Sequence, residues 1–310
     1  MAVRDEAAHS AMLPGMPGKG SGRNATEPQI SIVGAGDLAS ALAMALHGAG
    51  YRIDQIISRD GGASLRRARR LAAEVGASAV SAVRAQLRAG VFWFCVPDSA
   101  IAAAAETLKG AGNWSARVAL HSSGALTSDE LAELRRCGAV VASVHPLMTF
   151  VRGSRPALAG VPFAIEGDRS AARMAHKIVL GLRGKPIAIL KRNKEVYHAW
   201  GMFASPLLTA LLAATERVAA AAGVERNVAR ERMLPILTQT LENYRTLGAA
   251  RSFSGPIVRG DVETVKKHLA KLRTIPGARE VYVALARMAL RDLPARNRSA
   301  LERMLKRRKT

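Results

Sequence analysis

Short apolar runs, each ended by glycine, proline or a polar residue, fill the first two thirds of the chain. Ile30, Ile32 and Val33 lead into Gly34-Ala35-Gly36-Asp37-Leu38-Ala39, and an alanine-rich segment with apolar residues on most faces continues to His47. This order of β-branched strand, glycine turn and helix predicts the start of a βαβ unit. Gly48 and Gly50 end the helix. Residues 51–57 then read as a second strand closing on Ser58-Arg59-Asp60, 64–75 as a basic helix and 77–80 as a short third strand. The continuous apolar run 91–96 fits a central parallel strand buried on both faces. Pro97-Asp98 stops it, and Asp98 or Ser99 is expected to cap a helix over 100–108. Further strands are predicted at 117–120, 139–144, 161–165 and 186–190, with helices at 131–136 and near 171–182.

Such alternation argues for a doubly wound α/β domain with a mostly parallel Rossmann sheet. From about residue 193 the two-residue alternation disappears. Long alanine- and leucine-rich periodic segments replace it at 196–222, 227–247, 262–272 and 278–290, with a further stretch to 305. An all-α second domain is expected there. The predicted organisation is a disordered leader over 1–28, a dinucleotide-binding domain over 29–192, and a helical substrate and dimerisation domain over 193–310 with a basic tail. The longest apolar run, 199–214, contains Ser205 and Pro206 and falls short of a membrane span, so it is expected to form a buried helix.

Composition changes this picture little. The 310 residues are 49% hydrophobic, enough for two cores, and the net charge of +22 first suggests nucleic acid. The basic residues are scattered, however, with local clusters only at Arg66, Arg67, Arg69 and Arg70 and in the tail 306–309. Aromatics make up just 4% of the chain, too few for a base-stacking platform. A solvated basic surface that attracts anionic cofactors and substrates is the expectation, with nucleic acid an unlikely partner. The first 28 residues lack the apolar core of a signal peptide. Cys95 and Cys137 border apolar runs and are expected to be reduced and buried, as in a cytoplasmic protein. The histidines are dispersed, so no metal site is expected, and no nucleophile elbow is present.

Candidate chemistry follows from the glycine turn. Gly34 permits the tight turn, Gly36 lets backbone approach a pyrophosphate, and Ala39 keeps the helix near the strand; the helix N-terminus then forms an anion site. About 20 residues on, where NAD-specific domains carry an acidic residue, stand Ser58 and Arg59. A hydroxyl and a guanidinium suit a 2′-phosphate, so NADP is expected over NAD. Ligands in open α/β sheets bind beyond the carboxyl ends of the strands, which singles out Asp98, Ser122, Ser123 and His145. The serines suit substrate contact, helix capping or turn formation. His145 alone titrates near neutrality and is the acid–base candidate; the other reading is a histidine that orients the turn before Pro146. Lys194, Tyr197 and His198 open the first long helix and form a cluster able to hold a carboxylate or pass a proton. In the loop 254–261, Arg259 either anchors an anionic substrate group or pairs with Asp261 to cap the next helix.

At these residues the chain resembles a known group. The segments Val33-Gly-Ala-Gly-Asp-Leu-Ala39, Val96-Pro97-Asp98, His121-Ser-Ser-Gly-Ala-Leu126, Val144-His-Pro-Leu-Met-Thr-Phe150, Phe163-Ala-Ile-Glu-Gly-Asp168, Tyr197-His198 and Gly255-Pro-Ile-Val-Arg-Gly-Asp261 are similar to the Rossmann-like family that carries a C-terminal domain of unknown function. Its members are often described as NADP- or deazaflavin-dependent oxidoreductases. The resemblance spans about residues 29–290 and implies a helical domain like that of 6-phosphogluconate dehydrogenase, a homodimer formed through it, and Val96, Pro97 and Asp98 beside the cofactor. Prephenate dehydrogenases place a catalytic His-Pro at the position of His145. Pyrroline-5-carboxylate reductases bind a carboxylate with a Ser-Pro-Gly loop analogous to Ser254-Gly255-Pro256. Relatives read Ser-Asn where this chain has Ser205-Pro206, a departure at an expected substrate or nicotinamide contact. The expectation is an NADP-dependent oxidoreductase, with deazaflavin a weaker alternative as cofactor. It would transfer a hydride between nicotinamide and a small anionic carbonyl, imine or hydroxy compound at the interdomain cleft. A non-catalytic NADP-binding sensor is the rival.

Overall fold

Residues 27–306 are described by a computed structural model. The chain divides into two compact units, one ending at His198 and the other beginning at Ala199.

The first unit carries eight strands: β1 (Ile30–Val33), β2 (Ile53–Ser58), β3 (Ser78–Ser81), β4 (Val91–Phe94), β5 (Val118–His121), β6 (Val140–Pro146), β7 (Pro162–Gly167) and β8 (Lys185–Ala188). Five helices join them: α1 (Asp37–Gly48), α2 (Gly62–Val75), α3 (Ile101–Lys109), α4 (Ala132–Arg136) and α5 (Arg169–Gly181). The strands form one sheet in the order β3-β2-β1-β4-β5-β6-β7-β8. All pairings are parallel except β6 with β7. The chain reverses its direction of travel across the sheet between β1 and β4, which is the switch point of a doubly wound fold. The mostly parallel α/β architecture is as the alternating pattern predicts.

Strand periodicity decides which core each residue joins. Ile30, Ile32, Val91, Trp93, Val118, Leu120, Ala142 and Val144 face α1, α2 and α5. Their neighbours Val33, Phe92, Phe94, Ala119 and Val141 face α3, α4 and Trp114 on the other side. The central strands are therefore apolar on both faces, with few polar exceptions such as Ser31, His121 and Ser143, because both faces are covered. Trp93, Phe92 and Phe94 are wholly buried, and burying each large side chain contributes about 1.5–3 kcal/mol.

The strand ends line up. Val33 pairs with Phe94, Phe94 with His121, and His121 with Ser143. One row of residues thus closes β1, β4 and β5 and meets β6 at Ser143, and the segments that follow β1, β4 and β5 emerge from the carboxyl edge together.

The helix α6 (Lys194–Ala204) begins in the first unit and ends in the second. The second unit continues with α7 (Pro206–Ala221), α8 (Arg226–Ser252), α9 (Pro256–Arg259), α10 (Val262–Lys271), α11 (Ala278–Asp292) and α12 (Arg298–Leu305), and no strand occurs there among the described residues. Its core is a small cluster of Val265, Leu269, Ala286, Leu290, Leu301 and Leu305.

Several expectations are corrected. The segment 196–222 is two helices, because Ser205 leaves helical geometry (φ −132°, ψ −74°) and Pro206 starts a new helix at its first position, where its missing N–H costs nothing. Residues 191–221 meet the length and hydropathy of a membrane span, yet that break interrupts them. The run is also not buried. Lys194 alone is buried in α6 and Ala214 alone in α7, so the apolar faces of these helices, with Leu234, Ile236, Leu241 and Tyr244 of α8, stand exposed. The next predicted helix runs on to Ser252, with non-helical geometry at Gly248. Cys137 is exposed, since it caps the C-terminus of α4 rather than entering a strand. Cys95 is buried as expected, and desolvation pushes its thiol up to about 12. Most of the expected leader and tail fall outside the described residues.

Candidate active site

The glycine turn is built by close approach. Gly34 has φ +117°, and a Cβ there would lie 2.3 Å from the Cys95 carbonyl oxygen. Only glycine fits between β1 and the end of β4. Gly36 presents the opposite situation. It precedes α1 as its cap, a Cβ there would meet nothing within 4 Å, and no side chain caps the helix. The start of α1 at Gly36, Asp37 and Leu38 therefore opens toward solvent with the positive end of the helix dipole behind it. Ala39 is fully buried and seats α1 on the sheet, Ala35 packs partly against the same core, and Asp37 is exposed. At the end of the neighbouring strand β2, Ser58 is buried and donates to the Arg59 carbonyl (3.1 Å), while the Arg59 side chain is exposed.

The row's next segments carry polar groups. Val96, Pro97 and Asp98 follow β4, and Asp98 caps no helix by its side chain. Its carboxylate instead accepts a hydrogen bond from Ser123 Oγ at 2.8 Å, tying the end of β4 to the end of β5. Ser123 Oγ also accepts from the Leu126 amide (2.9 Å), and Ser122 Oγ accepts from Trp93 Nε1 (2.8 Å). Both serine hydroxyls are thus engaged within the scaffold.

His121 is wholly buried, and its tautomer follows from its partners. The Ser123 amide donates to Nδ1 (3.1 Å), so Nε2 carries the proton and donates to the Thr127 carbonyl (2.9 Å). Desolvation is the main cause that lowers its pKa to about 4. The imidazole thereby shapes the turn after β5.

His145 lies two residues beyond the aligned row, because β6 continues past its parallel neighbours to pair with β7. Its Nδ1 is 3.2 Å from Tyr197 Oη, and the two rings meet edge to face. The His198 ring also stands edge-on to it, with centroids 6.2 Å apart. On its other side His145 meets Gly124, where a Cβ would come within 2.8 Å of Nε2 and 2.7 Å of His198 Cδ2. Burial, then the Lys194 charge and the neighbouring histidines, lower the His145 pKa to about 4. Desolvation raises Tyr197 to about 12. At neutral pH the pair is a neutral imidazole beside a protonated phenol.

Three candidates, His145 from the strand ends and Tyr197 and His198 from the helix start, are therefore brought together, and Asp98 and Ser123 are joined beside them. Lys194 belongs to the same cluster, but its ammonium is buried and points inward. Ser205 lies at the break between α6 and α7, and Arg259 is exposed at the end of α9. Asp261 caps α10 by accepting from the Thr264 amide at 3.0 Å. His121, Ser143 and Glu166 were not singled out from the sequence. Their position at the ends of strands was the available signal, but all three work as buried scaffold.

Residues 15–146 match a Rossmann-like domain and residues 161–289 match the Domain of unknown function (DUF2520). The chain is accordingly a Rossmann-like protein with a C-terminal domain of the DUF2520 family. No curated protein matches it. Among solved structures it is similar to BF3122 of Bacteroides fragilis, provisionally described as an NADP oxidoreductase, at 22% identity and TM-score 0.70 over 84% of this chain and 97% of that one. An imine reductase from Pseudomonas sp. is 21% identical with TM-score 0.59, over 90% of this chain and all of that one. A pyrroline-5-carboxylate reductase from Coxiella burnetii is 14% identical with TM-score 0.57, over 91% and 100%. These likenesses establish a shared fold.

The histidines give a stability prediction. His121 and His145 have folded pKa values near 4, below the ordinary 6.5. The unfolded chain then binds more protons below about pH 6.5 than the fold does, and stability falls as pH drops from there toward 4. Urea unfolding at pH 7, 6 and 5 is expected to show a falling midpoint, and His121→Asn to flatten that fall. An acid dependence identical in the variant and the parent would contradict the assignment to His121.

Proposed function

We propose that the protein is an NADP-dependent oxidoreductase acting on a small anionic carbonyl, imine or hydroxy compound. One observation carries the reading: the same carboxyl edge of the sheet bears a turn made for backbone approach and a half-buried His145–Tyr197 pair at 3.2 Å. The turn residues 34–39 fit a pyrophosphate, since Gly36 leaves the helix amides accessible, and the exposed Arg59 beside Ser58 fits a 2′-phosphate. Val96, Pro97 and Asp98 line the next strand end. The cofactor, when bound, supplies the hydride.

The chain's own residues handle the proton. Tyr197 keeps its phenolic proton at neutral pH and can deliver it to an oxygen or nitrogen that gains an electron pair. His145, neutral and held through Nδ1, orients the phenol and accepts or returns its proton. His198 flanks the imidazole. Ser122 and Ser123 hold the edge in place.

The relatives' names suit this chemistry, and the reading is tested by NADPH oxidation with a panel of carbonyl and imine compounds. Turnover by the parent is expected. Tyr197→Phe and His145→Ala are expected to lose on the order of 10²–10⁴-fold in kcat while retaining NADPH affinity. Absence of turnover across the panel, or parallel loss of cofactor affinity in both variants, would contradict the catalytic assignment.

The exposed apolar faces of α7 and α8 support a homodimer through the helical unit. They include Leu207, Leu208, Leu234, Ile236, Leu241 and Tyr244, and an exposed concentration of large apolar side chains marks an association surface. Sedimentation as a dimer is expected, and a monomer at micromolar concentration would refute it.

A further inference from the structure

Lys194 is 1% exposed, among the largest fully buried side chains of the protein, and a buried ammonium costs several kcal/mol unless its donors are met. It is met by two acceptors distant in sequence. Nζ donates to the Ser123 carbonyl at 3.0 Å and to Ser143 Oγ at 2.5 Å, and Ser143 Oγ in turn donates to the Ser123 carbonyl at 3.2 Å. These acceptors lie in the turn after β5 and within β6. Ser143 is two residues before His145, and Ser123 immediately precedes Gly124, the residue against which His145 packs.

The lysine opens α6, and residues three and four further along a helix share its face. Tyr197 and His198 occupy those positions, and both meet the His145 ring. Lys194 thereby joins the start of the helix that carries the phenol to the two strand ends that fix the imidazole. Among the described residues no carboxylate forms an ion pair with it. Glu166 of β7 accepts from the Ser128 amide (2.6 Å) and hydroxyl (3.0 Å), and Asp98 accepts from Ser123.

We propose that Lys194 is a positioning residue for the His145–Tyr197 pair, a pin that ties the start of α6 to the two strand ends around the imidazole. The proposal rests on the acid–base reading of that pair. Lys194 touches no reacting atom in this account. It fixes the distance between phenol and imidazole and sets the electrostatic field at the imidazole. The groups facing His145 are Lys194, Tyr197 and His198 from α6 and His121 from β5, whereas Asp98 and Glu166 face the lysine. Removing the ammonium leaves His145 with burial and two histidines, so its affinity for a proton increases. Desolvation, opposed by Glu166 and Asp98, lowers Lys194 itself to about 8, which places the loss of the pin in the mildly alkaline range.

The test is an NMR titration of the His145 ring in the parent, Lys194→Met and Lys194→Arg, without cofactor, alongside the pH dependence of NADPH oxidation. Lys194→Met is expected to move the His145 pKa from about 4 toward 6.5, by about half a unit or more. Lys194→Arg, which keeps the charge, should stay with the parent. Equal His145 titration in the parent and Lys194→Met overturns the proposal, whatever the turnover. If Lys194→Met does not fold, Ser143→Ala deletes the hydroxyl acceptor and keeps the lysine. It weakens the charged form, so the alkaline limb of the rate profile should shift to lower pH, and an unshifted limb overturns the proposal. Failure of the parent to turn over any substrate bears on the catalytic reading alone, because the titration reads the imidazole directly.

Discussion

The contact between Gly34 and the carbonyl of Cys95 is the constraint on which the arrangement depends. A parallel sheet places strand ends side by side, but it does not bring a turn from one strand onto the backbone of the next unless a side chain is missing there. A Cβ at residue 34 would sit 2.3 Å from the carbonyl oxygen, so the turn, the entry of α1 and the end of β4 can be seated together only around a glycine. From that seat, Ala39 locks α1 onto the sheet and Gly36 leaves the helix N-terminus bare. The in-register row Val33, Phe94, His121 and Ser143 extends the same edge toward the His145–Tyr197 pair.

Beyond the glycine turn, the edge is stitched by polar contacts between segments far apart in the chain. Asp98 binds Ser123, Trp93 binds Ser122, Glu166 holds Ser128, and Lys194 holds Ser123 and Ser143. Each of these groups is met, which rigidifies the frame around His145. An exposed clamp supports α6 from outside. Asp129 accepts from Lys191 at 2.6 Å and from Arg135 at 3.0 Å, and these two cations hold its carboxyl down near 2. Such a surface cluster contributes modestly to stability, but it fixes where α6 leaves the sheet and hence where Tyr197 meets His145.

Much of this was legible in the sequence where the signal is local. The glycine turn, the apolar strands and the change to helices announce themselves within a few residues, and His145, Tyr197 and His198 are conspicuous beside an apolar strand end and at a helix start. What was not legible depends on partners distant in sequence. Nothing near Lys194 says that its ammonium is buried, because the acceptors are 71 and 51 residues away. A serine pair looks open to substrate until Trp93 and Asp98 are seen to occupy it. The apolar run over 199–214 reads as interior on composition, and only the packing shows its faces exposed. The break at Ser205 was readable from Pro206, since proline favours the first turn of a helix, but helical periodicity on both sides concealed it.

The measurement that bears most directly on the account is calorimetric binding of NADPH and NADH to the full chain and to Arg59→Ala. The account predicts that NADPH binds the parent more tightly than NADH. It also predicts that the advantage disappears in the variant, a loss on the order of 1.5–3 kcal/mol for a charge-assisted contact. Equal affinity for both nucleotides in the parent, or no binding of either, would contradict the claim that this edge of the sheet is an NADP site.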